Sequence, residues 1–542
     1  MVRPSRPAAL AVAALMAFAQ PAAAISLPGG GFSVSGKKGT FLKQVANRKF
    51  DAEQGGNAMG LASDAVNQGQ FQSARLQMPQ TEAQVSALLT RIETNWPYAK
   101  GQPLQVHIIA VDYYSAYSLP DGSIVVAFGL LDHATSDDEV AFVLAHELGH
   151  VRLGHFAKGA AADRRRQMIG QLGQVYAVGS AMRGGMRGGA GAFNADALAA
   201  TRRANAATDL LHFMNTVMID PGHSRSQEDE ADAVGFDLSQ MAPYAAESAS
   251  ARVFDTIQAD EDNRKKTSAL LEEQVKKELG RAAASGAVQS VMAGGDVKTG
   301  LFKSVGRIAL GVAGGSEGGP KHRPPEDRKK GVALYSVEAY PEGLPLREEQ
   351  TAWLKAVRAT REYSDAKVTV VAVQDAKQKR VEGDYAGAEQ ILAKTRLTAF
   401  RDTPVVLNEA ARVRSDMGDV ARADTLFMQA HQSPDQSYDG YVDHVRMLSD
   451  AGETDRALLV IEDGTRRFGD DKPFLSMLIA IAKQTGRMNA ANAYLQRCLE
   501  TGDDNLKKDC QTAMGDDGAQ AKGGGLPFGF GGGKKSAAAA PK

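Results

Sequence analysis

Two short runs carry residue types that can do chemistry together: His146-Glu147-Leu148-Gly149-His150 and Glu228-Asp229-Glu230-Ala231-Asp232. His146 and His150 are four residues apart, so on a helix their imidazoles share one face and converge on one metal ion. Neutral imidazole is a good zinc ligand, and a catalytic zinc keeps three protein ligands and one water. Glu147 is adjacent and can reach that water as a general base. Glu228 and Asp232 repeat the four-residue spacing. Glu228 can complete the ligand shell, and Asp232 can accept the free N–H of a ligating histidine, fixing its tautomer. Glu230 is expected to point elsewhere. His155 competes as third ligand, but on a continuing helix it sits about 140° around from His150 and faces away, so a structural role is expected for it. Tyr113, Tyr117, His223 and Arg252 are loose candidates for a donor to the transition state.

These side chains need two helices to hold them. Val140, Val143, Leu144, Leu148 and Val151 recur at helical spacing, and Ser136 or Asp137 can cap a helix that opens on Asp138 and Glu139. A second helix must carry Glu228. Upstream, residues 40–98 read as amphipathic helix, and Leu104–Val111 and Ile124–Phe128 read as strands around a turn at Pro120-Asp121-Gly122. The strand Ile124-Val125-Val126-Ala127-Phe128 is expected to offer an edge to which an extended substrate adds. Main-chain hydrogen bonds bind many sequences alike, which suits an unfolded polypeptide. The Gly-rich stretches within 159–220 and 284–320 read as mobile covers over such a site or as plain loops.

Further on, the chain repeats itself. Gly383, Gly418, Gly452 and Gly486 are spaced by 35, 34 and 34 residues. Five residues after each stands an alanine (Ala388, Ala423, Ala457, Ala491), and seven further on a small residue (Thr395, Ala430, Gly464, Cys498). A period of 34 with a Gly-centred turn is the tetratricopeptide pattern, and such a stack makes a curved surface for peptides or partner proteins. Cys498 and Cys510 are the only cysteines. They are expected to form one bridge pinning the last helix, the alternative being two unrelated small residues.

The composition sets the frame. At 542 residues the chain is too long for one ordinary core, and 43% apolar with 23% charged residues fits a globular protein. A net charge of -1 gives no general reason to expect nucleic acid as a partner. Arg3 and Arg6, the apolar run Ala8–Ala19 and Ala22-Ala23-Ala24 read as a secretory leader cut before Ile25. An uncleaved anchor is the alternative, but the run is short for a bilayer, and no transmembrane span is expected in the mature chain.

With these residues in view the resemblance is specific. Leu119-Pro120-Asp121-Gly122, Gly129-Leu130-Leu131, Ala145–His150 and Ser224–Gly235 resemble the M48 family of zinc metallopeptidases. A secreted domain of this kind followed by tetratricopeptide repeats is similar to the periplasmic beta-barrel assembly-enhancing protease group of Gram-negative bacteria. The resemblance implies a gluzincin-type fold in the α+β class, mainly α. A metallopeptidase domain with a small sheet would precede an all-α repeat solenoid. It implies one zinc per chain on His146, His150 and Glu228, with Glu147 as catalytic base. The expected layout is a leader at 1–24, the peptidase domain at 25–345, repeats at 346–515 and a low-complexity tail at 516–542. The resemblance further implies a periplasmic endopeptidase, peripheral at the outer membrane, that degrades stalled or misfolded outer-membrane proteins. Its repeats would dock on the assembly machinery. Lys321-His322-Arg323-Pro324-Pro325 resembles a His-Pro segment whose histidine can cap the zinc, so His322 is an expected inhibitory ligand, the alternative being an exposed loop histidine. A second function class is a chaperone-like scaffold with a structural metal domain; an intact Glu147 argues against it.

Overall fold

The computed structural model describes residues 32–34, 39–45, 75–98, 103–119, 122–155, 223–284, 323–468, 472–501 and 504–515, with scattered positions between 200 and 210. The expected leader, His322, most of both Gly-rich stretches and the tail lie outside these residues.

Four strands form a mixed sheet: β1 (Arg75–Leu76), β2 (Gln105–Ile109), β3 (Ala116–Ser118) and β4 (Ser123–Ala127), in the order β1-β2-β4-β3. β2 and β4 run parallel, and β3 returns antiparallel to β4. Val126 therefore has a partner on each side, Ile108 and Ala116. This corrects the expectation that Ile124–Phe128 is an edge: β4 is interior, all five of its residues are buried, and Phe128 already starts the next helix. An unbroken apolar run is the mark of a strand covered on both faces. The edges of the described sheet are β3 and the two-residue β1. The expected helix over 40–98 is likewise interrupted. Two short described pieces, α1 (Phe41–Gln44) and β1, precede α2 (Pro79–Glu93), whose Val85, Leu88, Leu89 and Ile92 pack into the main core.

After a short helix, α3 (Phe128–His133), come the two helices of interest, α4 (Asp137–Leu153) and α5 (Arg225–Met241). Ser136 caps α4 by accepting from the Glu139 amide, with three acidic residues in the positive first turn. Gly154, at φ 65°, ends it in the left-handed conformation. α5 opens with a capping box, Ser224 and Gln227 satisfying each other's amides. The two helices can approach because glycines meet at their crossing. A methyl at Gly149 would lie 3.2 Å from Val234 Cβ. α6 (Ala246–Ala284) and α7 (Pro325–Ala339) pack around them.

From α8 (Ala352–Arg358) onward the described chain is helical. Helix pairs follow: α9 (Arg361–Glu382) with α10 (Tyr385–Leu392), α11 (Pro404–Met417) with α12 (Val420–His431), α13 (Tyr438–Ala451) with α14 (Thr454–Phe468), and α15 (Leu475–Gln484) with α16 (Met488–Leu499). At each joint stands a positive-φ glycine, Gly383, Gly418, Gly452 or Gly486. Only a residue without Cβ takes this conformation at little cost. Ala388, Ala423, Ala457 and Ala491 are wholly buried where helices touch. Cys498 and Cys510 are joined as a disulfide, tying α16 to the last described helix, α17 (Asp504–Met514).

One core runs without a break from the sheet through α4 and α5 into the first helix pairs, as far as Val413; a second begins at Ala411 and ends at Cys510. Buried carboxylates bind segment 341–350 and the helix after it to the site helix. Asp137 accepts from the amides of Trp353 (3.0 Å) and Leu354 (2.8 Å), and Asp138 from those of Ala245 and Gln350 (2.7 Å each).

Candidate metal centre

α4 carries His146 and His150 one turn apart, and α5 brings Glu228 to them. The three are buried, and one ligand atom from each lies within 4.8 Å of the others. His150 Nε2 stands 3.1 Å from His146 Nε2 and 3.3 Å from Glu228 Oε1, and His146 Nε2 is 3.8 Å from Glu228 Oε2. Tetrahedral ligands at about 2.0–2.1 Å from a zinc ion stand about 3.3 Å apart, so the spacing fits.

The proton arrangement argues the same way. His146 Nδ1 faces Asp232 Oδ1 at 3.0 Å, and His150 Nδ1 faces His155 Nδ1 at 3.1 Å. Assigned from these partners, each ring carries its proton on Nδ1 and turns the Nε2 lone pair inward. Two lone pairs and a carboxylate then converge in a buried space, an arrangement that a cation stabilises. Asp232 accepts from Arg328 Nε (2.9 Å) and Nη2 (2.5 Å), while Arg328 Nη1 stands 3.4 Å from Glu228 Oε2. One guanidinium thus balances Glu228 and Asp232 of α5. Burial alone would raise the Glu228 carboxyl; His150 and Arg328 hold it well below its ordinary value. Burial pushes the His150 pKa down to about 3, keeping the ring neutral.

Glu147 lies in the same pocket. Burial raises its carboxyl from the ordinary value to about 7. Its Oε2 is buried without a hydrogen-bond partner among the described residues. A carboxylate in that condition is poised to exchange a proton near neutrality.

Other expected residues fall differently. Because the helix stops at Gly154, His155 does not continue around the cylinder; it folds back so that its ring meets the Nδ1 edge of His150. Its Nε2 meets Glu230 Oε2 at 3.2 Å, so Glu230 points away from the metal group, as expected, and faces His155. His223 is stacked on His150, ring centroids 3.7 Å apart. Arg252 pairs with Glu139 at 3.2 Å and with Glu349. Tyr117 is buried on β3, and Tyr113 packs under β2 and β4. Arg328 is the functional residue that sequence reasoning passed over. The available signal was a lone arginine one turn into a Pro-started helix, facing a site with two carboxylates.

Residues 79–287 match the sequence model of Peptidase family M48. The chain is similar to the mitochondrial metalloendopeptidase OMA1 of Arabidopsis thaliana, 42% identical over 62 residues, which is 11% of this chain and 13% of that protein. It is also similar to the metalloprotease LoiP of Escherichia coli, 42% identical over 59 residues, 11% of this chain and 23% of that protein. The chain therefore spans less than a quarter of the length of the curated relatives it matches.

Proposed function

We propose that this chain, whose residues 79–287 match the peptidase family M48 model and carry the His146–His150–Glu228 site, works as a zinc-dependent endopeptidase on unfolded or misassembled polypeptides. The observation that carries this reading is Glu147: a buried carboxylate with an unsatisfied oxygen, one residue from a ligand that faces inward. A purely structural metal site has no use for it.

A bound zinc would lower the pKa of a coordinated water towards about 7 and polarise the scissile carbonyl. The chain supplies the rest. His146, His150 and Glu228 would hold the metal. Asp232 and Arg328 hold the first histidine and the glutamate in place. Glu147 takes a proton from the attacking water and passes it to the leaving amine. An extended substrate would add along β3, the edge strand that packs against α4, rather than along β4.

The Gly-joined helix pairs, the 34-residue period and the buried small residues support a tetratricopeptide stack, which would recruit partner or substrate. Arg3, Arg6, Ala8–Ala19 and Ala22-Ala23-Ala24 support export to the periplasm, where outer-membrane proteins and their assembly machinery would be the substrates and partner. Among the described residues no helix is long and apolar enough to cross a membrane. Stripping the metal with a chelator should abolish cleavage of an unfolded casein-type substrate, and about one equivalent of zinc should restore it. Cleavage that survives full removal of metal would refute the reading.

A further inference from the structure

The two histidine ligands are braced in different ways. His146 leans on a carboxylate directly. His150 leans on a second histidine: its Nδ1 is 3.1 Å from His155 Nδ1, and His155 Nε2 is 3.2 Å from Glu230 Oε2. His150 and His155 are both buried.

The protons in this chain can run one way only. For His150 to offer Nε2 to a metal, its proton must sit on Nδ1, which then donates to His155 Nδ1. His155 must therefore accept there and carry its own proton on Nε2, which donates to the Glu230 carboxylate. The reverse assignment would place the bare Nε2 of His155 against a carboxylate, two acceptors at 3.2 Å. It would also put a proton on His150 Nε2, aimed at His146 Nε2 and Glu228. The backbone holds the second imidazole in place. Gly154 turns at φ 65°, the His155 amide donates to the His150 carbonyl (3.1 Å), and Gln227 Nε2 donates to the His155 carbonyl (2.9 Å). Gln227 belongs to the α5 capping box, so the turn after α4 is fastened to the start of the helix that carries Glu228.

We infer that His155 and Glu230 form the positioning pair of the second metal ligand, fixing the tautomer and orientation of His150 through a histidine-to-histidine-to-carboxylate relay. This rests on the zinc reading of the site. The same contacts rule His155 out as a metal ligand, since both of its ring nitrogens are engaged. Outer partners of this kind typically carry about 10–100-fold in metal affinity. A histidine relay sets the carboxylate one ring further from the metal than Asp232, which meets His146 directly.

The test uses the full-length chain and measures zinc affinity by competition with a chromogenic chelator. The absorption spectrum of the cobalt(II)-substituted protein is recorded alongside. His155→Phe keeps a ring against His150 and removes the acceptor; Glu230→Gln keeps the shape and removes the charge. The expected result is a loss of about 10–100-fold in zinc affinity for His155→Phe, with an altered cobalt spectrum. Glu230→Gln should lose less in the same direction, and the double variant should lose no more than His155→Phe alone. Unchanged affinity and spectrum in either single variant, or losses that multiply in the double, would overturn the relay. Glu230→Gln, changed at the outer end, keeps the test decisive should His155→Phe fold poorly. Wild-type protein that takes up no zinc would instead overturn the metallopeptidase reading beneath it.

Discussion

Gly235 of α5 lies against the backbone of His146 of α4: a methyl at its Cα would stand 3.3 Å from the His146 amide nitrogen and 3.4 Å from its Cα. That is tighter than side chains normally sit against main chain, so the absence of a side chain sets how near α5 can come, and hence whether Glu228 reaches the two histidines.

Gly235→Val should push the helices apart. We expect a loss of about 1–3 kcal/mol in stability, the usual cost of overpacking, and weaker zinc binding. Gly235→Ala should do the same to a lesser degree. Calorimetric zinc titration and urea unfolding together read both effects; a valine variant with wild-type zinc affinity would show that the crossing distance does not set the site.

Arg328 balances Glu228 and Asp232 from one guanidinium. Arg328→Met would leave both buried carboxylates without it, a class of change that costs on the order of 3–5 kcal/mol. We expect a lower unfolding midpoint and zinc affinity reduced by about 10–100-fold. Metal-free and metal-loaded melts of the variant separate the two contributions.

How much of this was legible in the sequence depends on where each signal lives. His146, Glu147, His150, Glu228 and Asp232 could be placed together because helical spacing is local and strict. His155 and Glu230 could not, because their meeting depends on Gly154 ending the helix one residue early and turning the chain back. Reading His155 on a continuing helix pointed it away from the metal. Arg328 reaches the site from roughly a hundred residues along the chain, and charge pairing at that range leaves no periodic trace. β4 was mistaken for an edge although its unbroken Ile-Val-Val-Ala run carries the mark of a covered strand. The helix pairs were legible from their glycine-centred period. Their attachment to the catalytic half, through Asp137, Asp138 and one continuous core, was not.

Asp137 couples the site helix to the helical half of the chain. Its carboxylate accepts both the Trp353 and Leu354 amides at the start of α8. Asp137→Ala should leave these donors without their acceptor and lower stability by about 1–3 kcal/mol. Hydrogen exchange should locate the loss at residues 351–358. Protection there equal to wild type would refute the coupling.

A partly buried polar chain in the helix pairs predicts a pH dependence. Gln436 donates to His431 Nδ1 (2.9 Å), His431 Nε2 to His444 Nδ1 (2.9 Å), and His444 Nε2 to Asp424 (3.0 Å). Asp424 also pairs with Arg456 (2.5 Å), and Asp463 and Arg467 act on His431 from α14. Burial, followed by the charge of His444, lowers the His431 pKa from 6.5 to about 3. An unfolded chain thus binds a proton where the folded one does not, and stability falls as pH drops from about 6.5 towards 3. His431→Phe keeps a ring on Tyr441 and cannot be protonated. It should be less stable than wild type at about pH 7.5 yet lose less between about pH 7.5 and pH 5. Parallel urea midpoints for the two proteins would contradict this.

The central claim is that Glu147 acts as the base of a zinc site built by its neighbours. Glu147→Gln keeps the size of the side chain and removes its capacity to take a proton. Zinc content and cleavage of an unfolded substrate, measured on the same preparation, test the claim most directly. The expected result is about one zinc per chain, as in wild type, with turnover reduced at least about 100-fold. Turnover near the wild-type rate in a zinc-loaded Gln variant would contradict it.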